Sequence, residues 1–483
     1  MEYMNNYITC MNNYMNNYMQ LDFFIIKKLK ISYLINNHIK SMASHMKFTQ
    51  LNRDALSEIY KYITKIDTIK TITSACPSLE INYKVRALKC SNSTTDNDIA
   101  DFTNLTYLEC PFSQITDVGI KRLASLRTLI CYDCNYITNK TLEYLTSLHT
   151  LNCVCCENIT DDGLKRITNL KHLTCHSQNI TDESIKQLTS LQTLDCCYCN
   201  NITDQSVKYL TSLQTLICSG CDNITDQSVK HLTSLQKLGC SHCDHITDAS
   251  VGHLTTLQTL TCDGNYNITD ESIKYLTLLQ TLSCKCEDGN IMCQITDNSI
   301  KYLTSLRSLS CYDCFGITDK SIMYLTTLQS LDCQMCENVT DNSIKNLISL
   351  QSLSFSGCDK ITDNSLEYLV SLQTLDCSHD RKITGKMFKY LTSLQTLHCC
   401  GCINIPDESF KYLTSLQKLD CYDCKNVTDK TLEYLTSLRE LDCTGCRNIT
   451  NLGIEHLTLL DTIRCYECKG IKKSKLRKQI KIK

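Results

Sequence analysis

Thirty-six cysteines in 483 residues are the most reactive feature of this chain. They are regularly spaced. Eleven Cys-x-x-Cys pairs recur, and Cys218-x2-Cys221-x18-Cys240-x2-Cys243 meets the spacing at which four thiolates hold a tetrahedral zinc ion. The substitutions favour a structural role instead. Phe355 takes the first position of one pair, and Gln178, Asn265 and Asp380 take the second position of others, a set that cannot all ligate metal. The first position is expected to act as a small buried hydrophobe and the second as a partner for backbone groups in a turn. Zinc or another thiolate metal, and redox chemistry, stay open as alternatives. A Cys218–Cys221 disulfide would have to span three extended residues, about 10 Å, beyond ordinary reach. Oxidation between neighbouring copies is the more accessible redox route.

The cysteines sit on a 22-residue period. Their first position recurs from Cys110 to Cys465 through thirteen steps of 22, two of 21 and one of 27 residues, making seventeen units. In one copy, Leu213, Leu216 and Cys218 point inward, the latter two from a short strand, while Thr215, Ile217 and Ser219 face outward. Ile224-Thr225-Asp226 ends the turn. Thr225 or Asp226 is expected to accept hydrogen bonds from the free N–H groups of a short helix whose buried face carries Val229 and Leu232, with Lys230 near its end. Leucines at this spacing and period resemble the leucine-rich repeat, and the Cys-x-x-Ile-Thr-Asp variant resembles its cysteine-containing subtype. That family often places Asn or Cys at the second position, which Asn265 fits.

The resemblance implies an α/β fold, a solenoid with a parallel inner sheet and short outer helices. No single repeat is stable alone, and sixteen steps at the usual strand spacing would make a sheet roughly 75 Å long. The long step is a five-residue expansion around Lys285, Cys286, Glu287, Asp288, Gly289, Asn290 and Cys293. Such an insertion belongs in a loop, as a contact or as tolerated drift.

Four regions follow. Residues 1–46 are low in complexity, with Met4-Asn5-Asn6-Tyr7 repeated at Met11 and Met15, and are expected to be flexible or untranslated if synthesis starts at Met42 or Met46. Residues 47–90 form a helical block, 91–468 the repeats, and 469–483 a tail holding eight Lys or Arg. In the block, Leu56, Ile59 and Ile63 share a helical face capped by Asp54, and Asp67 can cap a second helix carrying Ile69 and Ile72 before Cys76-Pro77. The order Leu51, Asp54, Leu56, Ile59, Tyr62-Ile63, Asp67, Ile69, Cys76 resembles the F-box, with Asn52 where that family usually has proline and Leu79 near its usual tryptophan. The resemblance implies docking through Leu51, Leu56, Ile59, Ile63 and Ile69 onto a Skp-type adaptor and cullin, as a substrate receptor of a ubiquitin ligase. A plain cap over the first repeat is the alternative, making the chain a repeat scaffold with no ubiquitin role.

The outward strand positions suggest what the repeats would hold. Asp195, Asp332, Asp376, Asp420 and Asp442 occupy the slot of Ile217, and Tyr132-Asp133, Tyr312-Asp313 and Tyr422-Asp423 occupy the next slots. This acidic, tyrosine-dotted stripe would favour a basic protein segment, though solvated polar residues on an open sheet would look the same. No phosphate-binding glycine loop, His-Glu-x-x-His or nucleophile elbow occurs, so neither enzyme nor cofactor is expected. His231, His253 and His456 read as helix surface. A formal charge of −2 and the absence of a long apolar run give no expectation of nucleic acid or membrane binding. With no basic-then-apolar leader, a reducing cytoplasm is the expected setting, with a nuclear role open through the basic tail. Eight Asn-Ile/Val-Thr sequons, such as Asn223-Ile224-Thr225, are expected to serve turns rather than glycans.

Overall fold

The computed structural model describes residues 85–286 and 293–482, with Ile66, Asp67 and Ile69 besides. The chain divides into two compact units, one ending at Leu170 and one beginning at Lys171. In the first, strands Ala87–Lys89, Tyr107–Glu109, Thr128–Ile130 and Thr150–Asn152 pair in parallel, in chain order. In the second, fifteen strands from His172–Thr174 to Lys481–Ile482 do the same, one per repeat. The α/β repeat architecture expected from the period is therefore present in each unit.

Each repeat packs its apolar set into one layer between strand and helix. Leu213, Leu216, Cys218, Cys221, Ile224, Val229 and Leu232 are all fully buried. The strand Thr215–Ile217 ends in a turn that Cys221 N closes by donating to Cys218 O at 3.0 Å, with Gly220 left-handed at φ 68°. The three extended residues expected between the cysteines are thus a tight turn. The turn keeps the sheet's register, because Cys218 N and Gly220 N still donate to Gly239 O and Ser241 O of the next repeat, at 2.8 and 3.0 Å. The helix is a single turn, Asp226–Val229, and Leu232 lies beyond it.

A second series of bonds joins the outer side. Thr225 is the extended N-cap residue, and its Oγ1 accepts from Gln227 N at 3.1 Å. The same hydroxyl donates to Asp204 Oδ2 of the preceding repeat at 2.6 Å, while Thr225 N donates to Asp204 Oδ1 at 2.9 Å. Asp226 then does for Thr247 what Asp204 does for Thr225, at 2.8 and 2.6 Å. Sequence reasoning offered Thr225 and Asp226 as alternative caps. They have separate duties: threonine caps its own helix, and aspartate reaches forward to clamp the next. In several repeats the buried helix serine adds a third bond, as Ser321 Oγ does to Asp297 Oδ1 at 2.6 Å. The sequon asparagines form a parallel series: Asn201 and Asn223 donate through Nδ2 to Gln178 O and Asn200 O of the preceding repeat, each at 2.8 Å. That matches their expected service in turns.

Among the described repeats of the second unit the clamp is wholly missing once, with both partners gone together, while at the last step Asn451 keeps, of the clamp's two bonds, only the one from Lys472 N, at 2.8 Å. Gly385 replaces the aspartate and Pro406, lacking N–H and hydroxyl, replaces the threonine. Gly385 is left-handed at φ 76°, and a Cβ there would lie 2.8 Å from Ser409 Cβ. The flanking segments Lys386–Lys389 and Asp407–Tyr412 are 3-10 rather than α-helical, and Phe388 and Phe410 meet edge to face at 5.6 Å in the slots that elsewhere hold Ile, Val or Leu.

Two expected boundaries shift. Strand Ala87–Lys89 falls within the block assigned to residues 47–90, yet pairs with Tyr107–Glu109 as part of the repeat sheet. The basic tail is ordered: Lys481–Ile482 pairs with Thr462–Ile463, and Arg477 Nη1 donates to Thr458 O at 2.9 Å. Ile471 and Ile480 are buried there, so the tail packs as part of the stack.

Because Asp297 accepts from Thr318 N, Thr318 Oγ1 and Ser321 Oγ, Asp297→Ala should lower stability by about 2–3 kcal/mol, leaving those donors without a charged acceptor. Asp297→Asn should cost much less, since Asn139 already serves this slot: its Oδ1 accepts from Thr160 N and its Nδ2 donates to Thr160 Oγ1, both at 2.9 Å. Urea unfolding of both variants checks this, and equal losses would contradict the assignment.

Candidate functional site

The cysteine columns lie inside the repeats, and their bonding explains their spacing. Each second-position thiol donates to the carbonyl of the first-position residue one repeat earlier. Cys221 Sγ reaches Cys196 O at 3.0 Å, Cys243 Sγ reaches Cys218 O at 3.0 Å, and Cys336 Sγ reaches Cys311 O at 3.0 Å. Burial pushes the Cys240 and Cys262 thiols well above their usual range, and hydrogen bonding to Cys243 with burial does so for Cys218. They persist as neutral S–H groups. Every described cysteine is a free thiol, although Cys156 and Cys131 sulfurs of adjacent repeats stand 4.0 Å apart.

Of the substitutions at the second position, Asn265 obeys the same rule, whereas Gln178 is exposed and its Nε2 donates forward to Tyr198 O at 2.6 Å. Asn265 Nδ2 faces Cys240 O, Cys243 O and Ile246 O at 3.4, 2.8 and 3.0 Å, and its Oδ1 accepts from Asn267 N at 3.0 Å. Asp380 does not fit. It is 1% exposed, and Oδ1 accepts from Lys382 N at 2.6 Å, but Oδ2 has no hydrogen-bond partner among the described residues. Burial raises its carboxyl above the usual range.

The outward row is an open surface. In register along the second unit's sheet stand Ser310, Asp332, Ser354, Asp376, His398, Asp420, Asp442 and Arg464, all partly exposed. The structure therefore brings Asp332, Asp376, Asp420 and Asp442 into one line. Asp195, on strand Thr193–Asp195, is eight strands from Asp376, roughly 38 Å at the usual spacing. Tyr312-Asp313 and Tyr422-Asp423 are not strand residues as expected. They occupy the turn after the strand, where Asp313 and Asp423 are left-handed at φ 60° and 52°. Aspartate tolerates that conformation better than most residues, which supplies a conformational reason for its presence. The Tyr422 side chain projects from the same edge and is 50% exposed.

The carboxylates of the row are braced from within. Asp376 accepts from Ser378 N at 3.0 Å, and Asp442 from Thr444 N at 3.1 Å, with Arg464 Nη1 at 3.6 Å. Asp332 meets Ser310 Oγ at 2.8 Å and Lys285 Nζ at 3.3 Å. Asp420 faces His398 Nδ1, Cys400 Sγ and Tyr422 N at 3.4, 3.0 and 3.3 Å. Burial opposes its charge, but these donors hold its pKa below the usual carboxylate range, whereas burial and Asp420 push Cys400 up to about 12. Asp195 pairs with His176 Nε2 at 3.1 Å, beside Cys197. This surface can hold cationic groups.

Elsewhere, Leu51, Leu56, Ile59 and Ile63 lie outside the described residues, while Ile69 is helical and 1% exposed, a core position in the chain by itself. His231, His253 and His456 are exposed as expected. Sequence reasoning missed the aromatic pairing of the outer helices, where Lys208 and Lys274 lie over Tyr209 and Tyr275 at 5.1 and 5.2 Å. Adjacent Lys-Tyr residues at one helix slot were the available signal. No described helix is long and apolar enough to cross a membrane.

Residues 305–455 match the family described as leucine-rich repeat region. No curated protein matches the chain. Among solved structures, a TLR13–ssRNA13 complex aligns at 18% identity over 87% of this chain and 73% of that one, with a TM-score of 0.49. The functional domain of InlJ from Listeria monocytogenes, described as including a cysteine ladder, aligns at 24% identity over 76% and 74%, with a TM-score of 0.42. A leucine-rich repeat protein of Leptospira interrogans aligns at 20% identity over 78% and 95%, with a TM-score of 0.45.

The Asp380 misfit yields a pH test. A buried carboxyl with a raised pKa favours the folded state while protonated, and that contribution is lost as pH rises through the folded value. Asp380→Asn, which supplies an amide donor as Asn265 does, should raise thermal stability at pH 7 by the equivalent of about 1–3 kcal/mol. The gap should shrink as pH falls into the ordinary carboxylate range, and a pH-independent gap would contradict it.

Proposed function

We propose that this chain is a protein-binding repeat scaffold that captures a basic segment along the outward row. The observation that supports this best is the alignment of Asp376, Asp420 and Asp442 on one open sheet face, with Tyr422 beside them. Braced carboxylates lose little freedom on meeting a lysine or arginine, and exposed tyrosine offers a large contact area at low entropic cost. The mechanism is capture rather than chemistry: the repeats hold the partner, and any covalent step belongs elsewhere.

The finer reading is a substrate receptor of a Skp-cullin-F-box ubiquitin ligase. It rests on the F-box-like order from Leu51 to Cys76, in which the first helical face would hold the adaptor while the repeats hold the target. Such a role belongs to a reducing compartment, the cytoplasm or nucleus, where thirty-six cysteines stay as thiols.

One pull-down series separates the two levels. Full-length protein should retain a lysine-rich peptide, and changing Asp376, Asp420 and Asp442 together to Lys should weaken retention roughly tenfold or more while leaving the circular dichroism spectrum unchanged. Unchanged retention removes the outward-row reading. In parallel, Leu56, Ile59 and Ile63 changed together to Ala should lose a Skp-type adaptor that the parent captures. No capture by folded parent protein leaves the bare scaffold.

A further inference from the structure

We propose that Cys284, Cys286, Cys293 and Cys314 bind one zinc ion, so that the single insertion in the repeat array is a metal site. The regular thiol columns show why this place differs. In an ordinary step a second-position thiol meets one carbonyl and one thiol of the preceding repeat, as Cys446 meets Cys421 O at 3.0 Å and Cys421 Sγ at 3.9 Å. At the insertion that pair is Cys314 and Cys284, with Cys314 Sγ at 3.0 Å from Cys284 O. Cys293 then brings a third sulfur, and the sulfurs of Cys284, Cys293 and Cys314 all lie within 4.8 Å of one another. Among the described residues no other three cysteines converge in this way.

Cys286, two residues from Cys284, is the candidate fourth ligand, although its sulfur is not one of the three that all lie within 4.8 Å of one another. It is 3% exposed, and its N donates to Tyr312 O at 3.0 Å. Cys284 is fixed similarly through its N to Ser310 O at 2.9 Å, and Cys314 through its N to Cys311 O at 3.1 Å. Cys284 and Cys286 are therefore held by the backbone ladder and Cys314 by the turn of its own repeat, and Cys293 closes the set from the far side of the insertion.

The dimensions suit a single ion. A tetrahedron with zinc–sulfur bonds of about 2.3 Å places its sulfurs roughly 3.8 Å apart, so those of Cys284, Cys293 and Cys314 need only a small contraction, and Cys286 must draw in as the fourth. Four soft sulfur donors select zinc over calcium or magnesium. On binding, each thiol releases its proton to solvent, and Cys314 and Cys293 give up their S–H bonds to the Cys284 carbonyl, at 3.0 and 3.6 Å. The Zn–S bonds replace those donor bonds and tie the ends of the insertion to the next repeat.

The test uses full-length protein kept reduced, loaded with zinc and desalted, with metal per chain measured by mass spectrometry. The parent and Cys221→Ser, a regular column position, should each carry one zinc. Cys293→Ser should carry none, and Cys286→Ser should lose zinc to a chromophoric chelator at least tenfold more readily. Cobalt in the parent should show tetrahedral bands and intense thiolate charge transfer. A parent that binds no zinc, a cobalt spectrum without thiolate bands, or zinc retained in full by a double Cys286→Ser, Cys293→Ser variant would each overturn the proposal.

Discussion

The structure depends on a carboxylate that leaves its own repeat. Asp226 begins one helix, but both of its oxygens are spent on Thr247 of the next, whose hydroxyl in turn accepts from Ala249 N. A one-turn helix cannot persist by itself, because nucleation costs more than a single turn returns. Here its N-cap is prepaid by the neighbour: the threonine hydroxyl is oriented by the carboxylate before it meets the helix N–H. The outer segment of each repeat is thus stabilised by its neighbour, which is the nearest-neighbour logic of repeat arrays expressed in one side-chain pair. The gap at Gly385 and Pro406 shows the dependence from the other direction. Both partners are absent, the segments on either side are 3-10, and two phenylalanines fill the apolar layer.

The cysteines answer a related problem on the inner side. Each first-position carbonyl sits in a dry layer, and an unpartnered buried carbonyl is costly. A thiol is small enough for the layer and still carries a donor. Asn265 meets the same need with its amide, and Asp380 meets it poorly because an ionised carboxylate has no proton to give. Cysteine abundance here thus reflects a packing rule repeated many times. The cluster at Cys284, Cys286, Cys293 and Cys314 stands apart because the insertion adds thiols that the rule does not require.

Much of this was legible in the sequence. The period, the inward Leu216 and Cys218, and the donor role of the second cysteine position follow from side-chain size, alternation and the identity of the substitutes. Asp226 was harder, because a residue after a threonine cap looks like another cap until the next repeat is placed 22 residues on. The turn at Gly220 was hidden for a similar reason: left-handed positions are filled by Asp313, Met335 and Asp423 as well as glycine, so composition did not mark them. The braces around Asp420 were not legible at all, since His398 and Cys400 come from the neighbouring strand and the turn after it.

The proposed capture rests on the rigidity that the clamps confer. A row of carboxylates separated by strand spacings can recognise a partner only if the strands hold their register, and the outer helices hold it only if each repeat clamps the next. Hydrogen exchange along the unmodified protein tests this most directly. The account predicts that amides in Lys386–Lys389 and Asp407–Tyr412, beside the missing clamp, exchange well before those in clamped helices such as Asp226–Val229 and Asp270–Ile273. Equal protection across all of them would show that apolar packing alone holds the outer segments, and would contradict the central place given to the Asp–Thr pair.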